Sequence, residues 1–283
     1  MSSAKLVASL KPKAPYADLP RANVLGVGVH AVDLDLAADL VLDAVTARKK
    51  GYVCVTGVHG VTQAGRDPGF RRVLESAMLV VPDGMPTVWV GRWQGHRGMR
   101  RVFGPDLFLE VCRRSVNAGN THFFYGGRPG VAQQLEENLR LWFPGIKTVG
   151  TFTPPFRDLS ISEQIELRDR VAVLSPDIVW VGLSTPRQEC FMADYLPCLD
   201  CKVMIGIGAA FDLHTGGLRD APEWVKQAGL QWLHRLCQEP SRLWKRYLVN
   251  NSSFLVRIML QLSGLKRYHL KPVQSWTDPE TGS

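Results

Sequence analysis

Seven short apolar runs punctuate the chain: NVLGVGV (23–29), YVCVTGV (52–58), AMLVV (77–81), HFFYG (122–126), IKTVG (146–150), DIVWVGL (177–183) and KVMIGIG (202–208). They are apolar nearly throughout rather than alternating, as in strands covered on both faces. Between several of them lie LDLAADLVLDAVTARKK (34–50), PDLFLEVCRRSVNAG (105–119), PGVAQQLEENLRLWF (129–143) and SEQIELRDRVAVL (162–174), each with apolar residues at helical spacing. Strands separated by helices predict an α/β fold: a mainly parallel, Rossmann-like sheet with helices on both faces. Ligands on such sheets bind beyond the carboxyl ends of the strands.

The pattern changes after about residue 215. From Ala221 to Leu265 the chain reads only as helix. Between Arg235 and Lys271 the cations Arg235, Arg242, Lys245, Arg246, Arg257, Lys266, Arg267 and Lys271 face the single acid Glu239. The expected organisation is a flexible N-terminal arm (1–22), an α/β catalytic domain (23–218), a basic C-terminal helical appendage (219–271) and a tail (272–283).

A 45% hydrophobic and 21% charged composition is that of a soluble globular protein. No run of about 18 apolar residues predicts a transmembrane helix. The first twenty residues lack the apolar core of a signal peptide, so a cytoplasmic location is expected. The net charge of +8 calls for an anionic partner: nucleic acid, a nucleotide sugar or an acidic membrane surface. Of six cysteines, Cys54 and Cys112 lie in apolar patterns and read as core residues of a reducing compartment. Cys198 and Cys201 form a CxxC with no second Cys or His pair at zinc spacing.

Chemistry gathers where strands end. In LVVPDGMP an apolar strand runs into Asp83, which is either a turn residue or a base delivered to a site rim. After HFFYG, Gly126, Gly127 and Gly130 surround Pro129, which suits the first turn of a helix. Such a turn either brings a phosphate to backbone N–H groups at a helix N-terminus or simply needs glycine dihedrals. In STPRQE, Thr185 reads as an N-cap, Pro186 as the first helical residue and Gln188 as the capping-box partner. That leaves Arg187, Gln188 and Glu189 less well explained, and a Gln–Glu pair there can read a base or sugar edge. Asp212 follows the strand at 202–208, Thr56 lies in VCVTGVHG, and His59 lies by the same strand end. Polar residues at the ends of four strands of one sheet are expected to converge on a site.

Other signals fail. Gly26, Gly28 and Ala31 spell GxGxxA, but no acid follows about 20 residues on, as a ribose contact would require. Asp33 and Asp35 form a DxD, but at a helix start, where Asp caps. HExxH, HxE…CxxC and GxSxG are absent.

The ordered series VTG (55–57), PDGMP (82–86), RRVFGPDLF (100–108), FFYGGRPGV (123–131), VGLSTPRQE (181–189), IGIGAAFD (205–212) and APEWVKQAGLQWLHRLCQEPSRLWKRYL (221–248) resembles the WecG/TagA/CpsF glycosyltransferases, glycosyltransferase family 26, over residues 23 to 262. Within that family it is most similar to the exopolysaccharide-pathway members. The resemblance implies an inverting enzyme with no obligatory metal and no cofactor. It would move a sugar from a UDP-sugar donor to a polyprenyl-diphosphate-linked acceptor, peripherally at the cytoplasmic membrane surface. By position Asp83 would be the general base, Thr56 the threonine of a TxN motif and Arg101 a contact to acceptor diphosphate. Gln188 and Glu189 would lie on the nucleotide side. Arg235 and Arg242, with Lys245 and Arg246, would close over the site. Three positions depart: Val58, then His59, where the family has Asn; Asp220 where it has Arg; Gln231 where it has Glu. They bear on the donor sugar and on acceptor contacts. A homo-oligomer stays open. The alternatives are a nucleotide-binding oxidoreductase and a non-catalytic subunit of a polysaccharide assembly complex; nucleic-acid binding lacks an aromatic-rich recognition pattern.

Overall fold

A computed structural model describes residues 16–271. In chain order the elements are β1 (Arg21–Val24), β2 (Val27–His30), α1 (Leu34–Thr46), β3 (Gly51–Thr56), α2 (Val58–Ala64), α3 (Pro68–Glu75), β4 (Leu79–Pro82), α4 (Met85–Trp93), α5 (Gly104–Ala118), β5 (Thr121–Gly126), α6 (Val131–Trp142), β6 (Lys147–Phe152), α7 (Ile161–Leu174), β7 (Ile178–Gly182), α8 (Arg187–Tyr195), β8 (Val203–Gly206), α9 (Ala210–His214), α10 (Glu223–Gln227), α11 (Gln231–Gln238) and α12 (Pro240–Leu262).

Six strands form one sheet in the order β4-β3-β8-β7-β5-β6, and every pairing in it is parallel. The pleat sorts their side chains. Tyr52, Cys54, Val80, Phe123, Tyr125, Val179, Val181 and Met204 enter one core with α2, α3, α7, α8 and α12. Val53, Val55, Leu79, Val81, Phe124, Ile178, Trp180, Val203 and Ile205 enter the other with α1, α5, α6 and α9. Burial on both faces is why these strands read as continuous apolar runs. The helix after β5 covers one face and the helix after β7 the other, though the two strands are neighbours. That reversal opens a crevice at their carboxyl ends. Gly126 sits there with φ +121°, where an added Cβ would lie 2.6 Å from the Gly182 carbonyl oxygen.

The run 23–29 is not one strand of this sheet. Leu25 and Gly26 both take positive φ, 54° and 85°, and reverse the chain into the antiparallel hairpin β1–β2. Two successive left-handed residues are what a tight two-residue hairpin turn demands, and the glycine supplies one of them cheaply. GxGxxA therefore marks a hairpin and not a strand-to-helix turn. The hairpin covers the edge strand β4: the Val80 backbone N–H donates to His30 Nδ1 at 2.9 Å. β6 is the other edge. Asp33 caps α1 by accepting from the Leu36 N–H at 2.9 Å, as its place in the sequence implies.

The expected N-terminal arm lies mostly outside the described residues, but Ala22 is fully buried in β1 and Tyr16 Oη donates to the Leu40 carbonyl at 2.6 Å. The tail 272–283 lies outside them entirely. The long helix α12 packs along one face by Leu243, Asn250, Phe254 and Ile258. Its far end is fastened to the hairpin: the Leu25 N–H donates to Gln261 Oε1 at 2.8 Å, and Gln261 Nε2 donates to the Asn23 carbonyl at 2.7 Å.

Phe254 joins α12 to the core of the sheet. Phe254→Ala is expected to cost about 3–5 kcal/mol, the range for emptying a buried Phe site. Urea unfolding monitored by circular dichroism checks this.

Candidate active site

Asp83 follows β4 directly, and its backbone N–H donates to the Thr56 carbonyl at 3.1 Å across the strand ends. Gly57 lies against its carboxylate, so an added Cβ would be 3.7 Å from Oδ2. Burial raises the Asp83 carboxyl above its ordinary range. The Arg101 guanidinium, the Gly104 N–H at the start of α5 and Arg235 pull it back. A carboxylate balanced in this way suits a general base more than a fixed anion.

Arg101 spans body and appendage. Its Nε donates to the Asp83 carbonyl at 2.8 Å, its NH2 group donates to Gln231 Oε1 at the start of α11, and its guanidinium lies 4.1 Å from the Phe103 ring centroid. Gln231 thus stands as the neutral partner of that arginine.

Gln188 and Glu189 are buried on the first turn of α8. The expected cap did not form. α8 starts at Arg187 without a side-chain cap, and Thr185 Oγ1 instead donates to Glu189 Oε1 at 2.8 Å. The helix begins one residue later than the cap reading requires, so Pro186, which has no side-chain acceptor, stands at the cap position. Gly60 lies beside both Thr56 and Thr185: a Cβ there would be 2.9 Å and 3.9 Å from the two threonine methyls.

His59 Nδ1 accepts from Asn250 Nδ2 at 2.8 Å, and Asn250 Oδ1 accepts from Arg66 at 3.0 Å. Its ring also bonds the Thr185 backbone. The imidazole therefore ties α2 to α12, with little hydrogen-bonding capacity left for a substrate. The expectation that His59 contacts substrate is corrected to that extent. Burial first, then the Arg246 charge, depresses its pKa to about 4.

The C-terminal cations divide. Arg235 reaches the field of Asp83. Arg246 is held by burial and by the charges of Arg235 and Arg242 below the ordinary range of a guanidinium. Arg242 pairs with Glu239. Lys245 does not join them: it is exposed and lies 5.4 Å from the Trp244 ring centroid on the outer face of α12. Asp212 is on α9 and accepts from Arg128 at 3.1 Å, which ties α9 to the glycine turn. Gly126 and Gly127 are explained sterically by Gly182, Phe211 and Val131.

One feature groups these residues. Among the described residues, 12 buried side-chain polar atoms have no hydrogen-bond partner. Six of them are Thr56 Oγ1, Asp83 Oδ1, Gln188 Oε1, Glu189 Oε2, Arg235 Nε and Arg246 Nε. Buried polar atoms are rarely left unpaired, so concentration at strand ends and the facing helices marks a place built for a ligand. The sequence of the chain from residue 22 to 268 matches the profile of the "Glycosyl transferase WecG/TagA/CpsF family". The chain belongs to that family. It is a glycosyltransferase. Two proteins named N-acetylglucosaminyldiphosphoundecaprenol N-acetyl-beta-D-mannosaminyltransferase are among its relatives. The one from Bacillus spizizenii is 32% identical over 186 residues, 66% of this chain and 70% of its own. The one from Bacillus subtilis is 28% identical over 212 residues, 75% and 80% respectively.

Sequence reasoning missed Asn250, Arg66, Phe103 and the Gly104 N–H. Asn250 had a signal: it interrupts the apolar stripe Leu243, Phe254, Ile258 at helical spacing. The Gly104 N–H follows from a helix opening Gly-Pro beside a strand end.

His30, His59 and His122 are all held neutral, each with a pKa near 4 and with burial the main cause. Their folded values lie below the unfolded value of about 6.5, so their stabilising effect is full above that pH and is lost as pH falls towards 4. Imidazole NMR titration is expected to show these three uncharged at pH 5.5, with stability declining from pH 6.5 downward.

Proposed function

We propose that this glycosyltransferase moves a sugar from a UDP-sugar to a polyprenyl-diphosphate-linked saccharide. Transfer inverts the anomeric centre, needs no metal and serves exopolysaccharide or another cell-surface polymer. The acceptor reading draws on the names of the two Bacillus relatives. The observation that carries it is the setting of Asp83: a strand-end carboxyl with a free, buried Oδ1, between Arg101 and Arg235.

In this reading Asp83 takes the proton from the acceptor hydroxyl as that oxygen attacks the donor's anomeric carbon. Its raised pKa makes it a stronger base while Arg101 keeps it ionised. The departing diphosphate needs positive charge from elsewhere. Arg235, Arg242 and Arg246 supply it: burial first, and then the charges of Arg235 and Arg242, disfavour the Arg246 cation, and an anion placed among them offsets both. Those cations take the part a metal would have played. Gln188 and Glu189 lie on the donor side and Arg101 on the acceptor side.

The membrane contact falls to α12. No helix among the described residues is long and apolar enough to cross a membrane. The outer face of α12 exposes Trp244, Leu248, Val249, Leu255, Val256 and Met259, flanked by the cations Arg242 and Lys245. One face of α12 packs on the body, and in this reading the opposite face meets the membrane along the length of the helix. An apolar face beside cations suits the interface of an anionic bilayer.

Acceptor-dependent release of UDP, measured with a panel of UDP-sugars and short polyprenyl-diphosphate-sugar acceptors, tests the reaction. Asp83→Asn is expected to lower it by about 10²–10⁴-fold, the usual weight of a general base, while calorimetric UDP binding stays. Full turnover in Asp83→Asn would rule out the assignment. Replacing Leu248 and Met259 by Glu is expected to reduce co-sedimentation with anionic vesicles several-fold without lowering the thermal midpoint; undiminished sedimentation would remove α12 from the membrane.

A further inference from the structure

Asp83 and Glu189 are both buried carboxyls at the same edge of the sheet, but their surroundings differ in kind. Asp83 has two arginines and a helix N–H directed at it. Glu189 is 1% exposed, and no cation is among its partners. Its Oε1 accepts twice, from Thr185 Oγ1 at 2.8 Å and from Gln188 Nε2 at 3.1 Å. Its Oε2 is buried and meets nothing. The titratable groups facing it are the Cys54 and Cys190 thiols, whose own ionisation its negative charge would oppose. Arg187, two residues earlier, is exposed.

An ionised carboxylate spreads its charge over both oxygens and needs donors at both. Here one oxygen has two donors and the other none. A carboxylic acid has the matching asymmetry: a carbonyl oxygen that accepts and a hydroxyl that donates. Burial with no counter-charge favours the same form and raises the Glu189 pKa.

Gln188 completes the picture. Its amide lies beside the carboxyl, joined through Nε2–H to Oε1, and its own Oε1 is likewise buried and unbonded. We propose that Glu189 is a neutral carboxylic acid whose Oε2–H, paired with the accepting Oε1 of Gln188, reads an amide-type edge of the donor, an N–H beside a C=O. One part of a UDP-sugar carries that edge, the ring imide of the uracil; the acetamido group of an N-acetylated sugar is a trans amide whose N–H and C=O point apart. The inference rests on the glycosyltransferase reading and adds to it the charge and direction of the contact.

The test compares Glu189→Gln with Glu189→Ala. Glutamine can place its amide oxygen where Thr185 and Gln188 donate and its NH2 where the acid hydrogen lay. Binding of UDP, a UDP-hexose and a UDP-N-acetylhexosamine is measured by calorimetry on the full chain. Glu189→Ala is expected to weaken binding at least about tenfold, the usual effect of stripping a partner from a buried polar contact. Glu189→Gln is expected to restore affinity to within about threefold of the native protein. A loss in Glu189→Ala already present with UDP and equal for both UDP-sugars assigns the edge to uracil; a loss confined to the N-acetylated donor overturns the proposal. Glu189→Gln as weak as Glu189→Ala, or neither weakened, overturns the proposal. The infrared spectrum at neutral pH decides the charge without a ligand: a protonated-carboxyl C=O band lost in Glu189→Gln supports it, and no such difference overturns it. A native protein that binds no UDP-sugar while keeping that band would overturn the ligand reading and leave the acid.

Discussion

Arg101 is the joint on which the site depends. One guanidinium reaches the backbone of Asp83, the amide of Gln231 and the face of Phe103. The first belongs to a strand end of the sheet and the second to the helices beyond it. Fixing both with one rigid, always-charged fork sets how far α11 stands from the carboxylate, and so where Arg235 falls. A flexible lysine would supply the charge without the spacing. The neutral Gln231 keeps Arg101 from being neutralised by its second partner, so more of its field remains for Asp83.

The appendage is held at a second place by different chemistry. Asn250 bridges His59 and Arg66, and Gln261 bonds the hairpin on both sides. These are amide contacts, geometrically demanding and neutral apart from the Arg66 bond, on the helix that sends Phe254 and Ile258 into the core. The helix that carries Arg246 is consequently part of the folded body rather than a loose strap. Removing it would expose the apolar faces of α2 and the hairpin as well as take away the arginines.

Much of this was legible in the chain, and for identifiable reasons. Strands buried on two faces leave continuous apolar runs, and helices longer than ten residues leave a readable period. β3 to β8 and α1, α5, α6 and α7 stood out accordingly. α2, α3 and α4 have 7, 8 and 9 residues, too few turns for a period to declare itself. The run at 23–29 misled because its valines look like a strand while the left-handed pair Leu25–Gly26 cannot be read from apolarity. Within the candidate site, Asp83, Thr56, Gln188 and Glu189 could be grouped from the sequence because strand ends on a parallel sheet share an edge. Their partners were not: Asn250 stands 191 positions from His59, and no local pattern specifies which buried amide will meet which imidazole. Thr185 illustrates the limit well: the helix starts one residue later than its cap reading requires, and its hydroxyl meets the buried carboxyl of Glu189.

The hairpin at one side of the sheet also sets how copies of this protein can join. Because β1–β2 covers β4, the sheet among the described residues offers a further strand room beside β6. Two copies meeting β6 to β6 about a two-fold axis would form one continuous sheet and exhaust both open edges. Growth by strand addition at that edge therefore terminates at a pair.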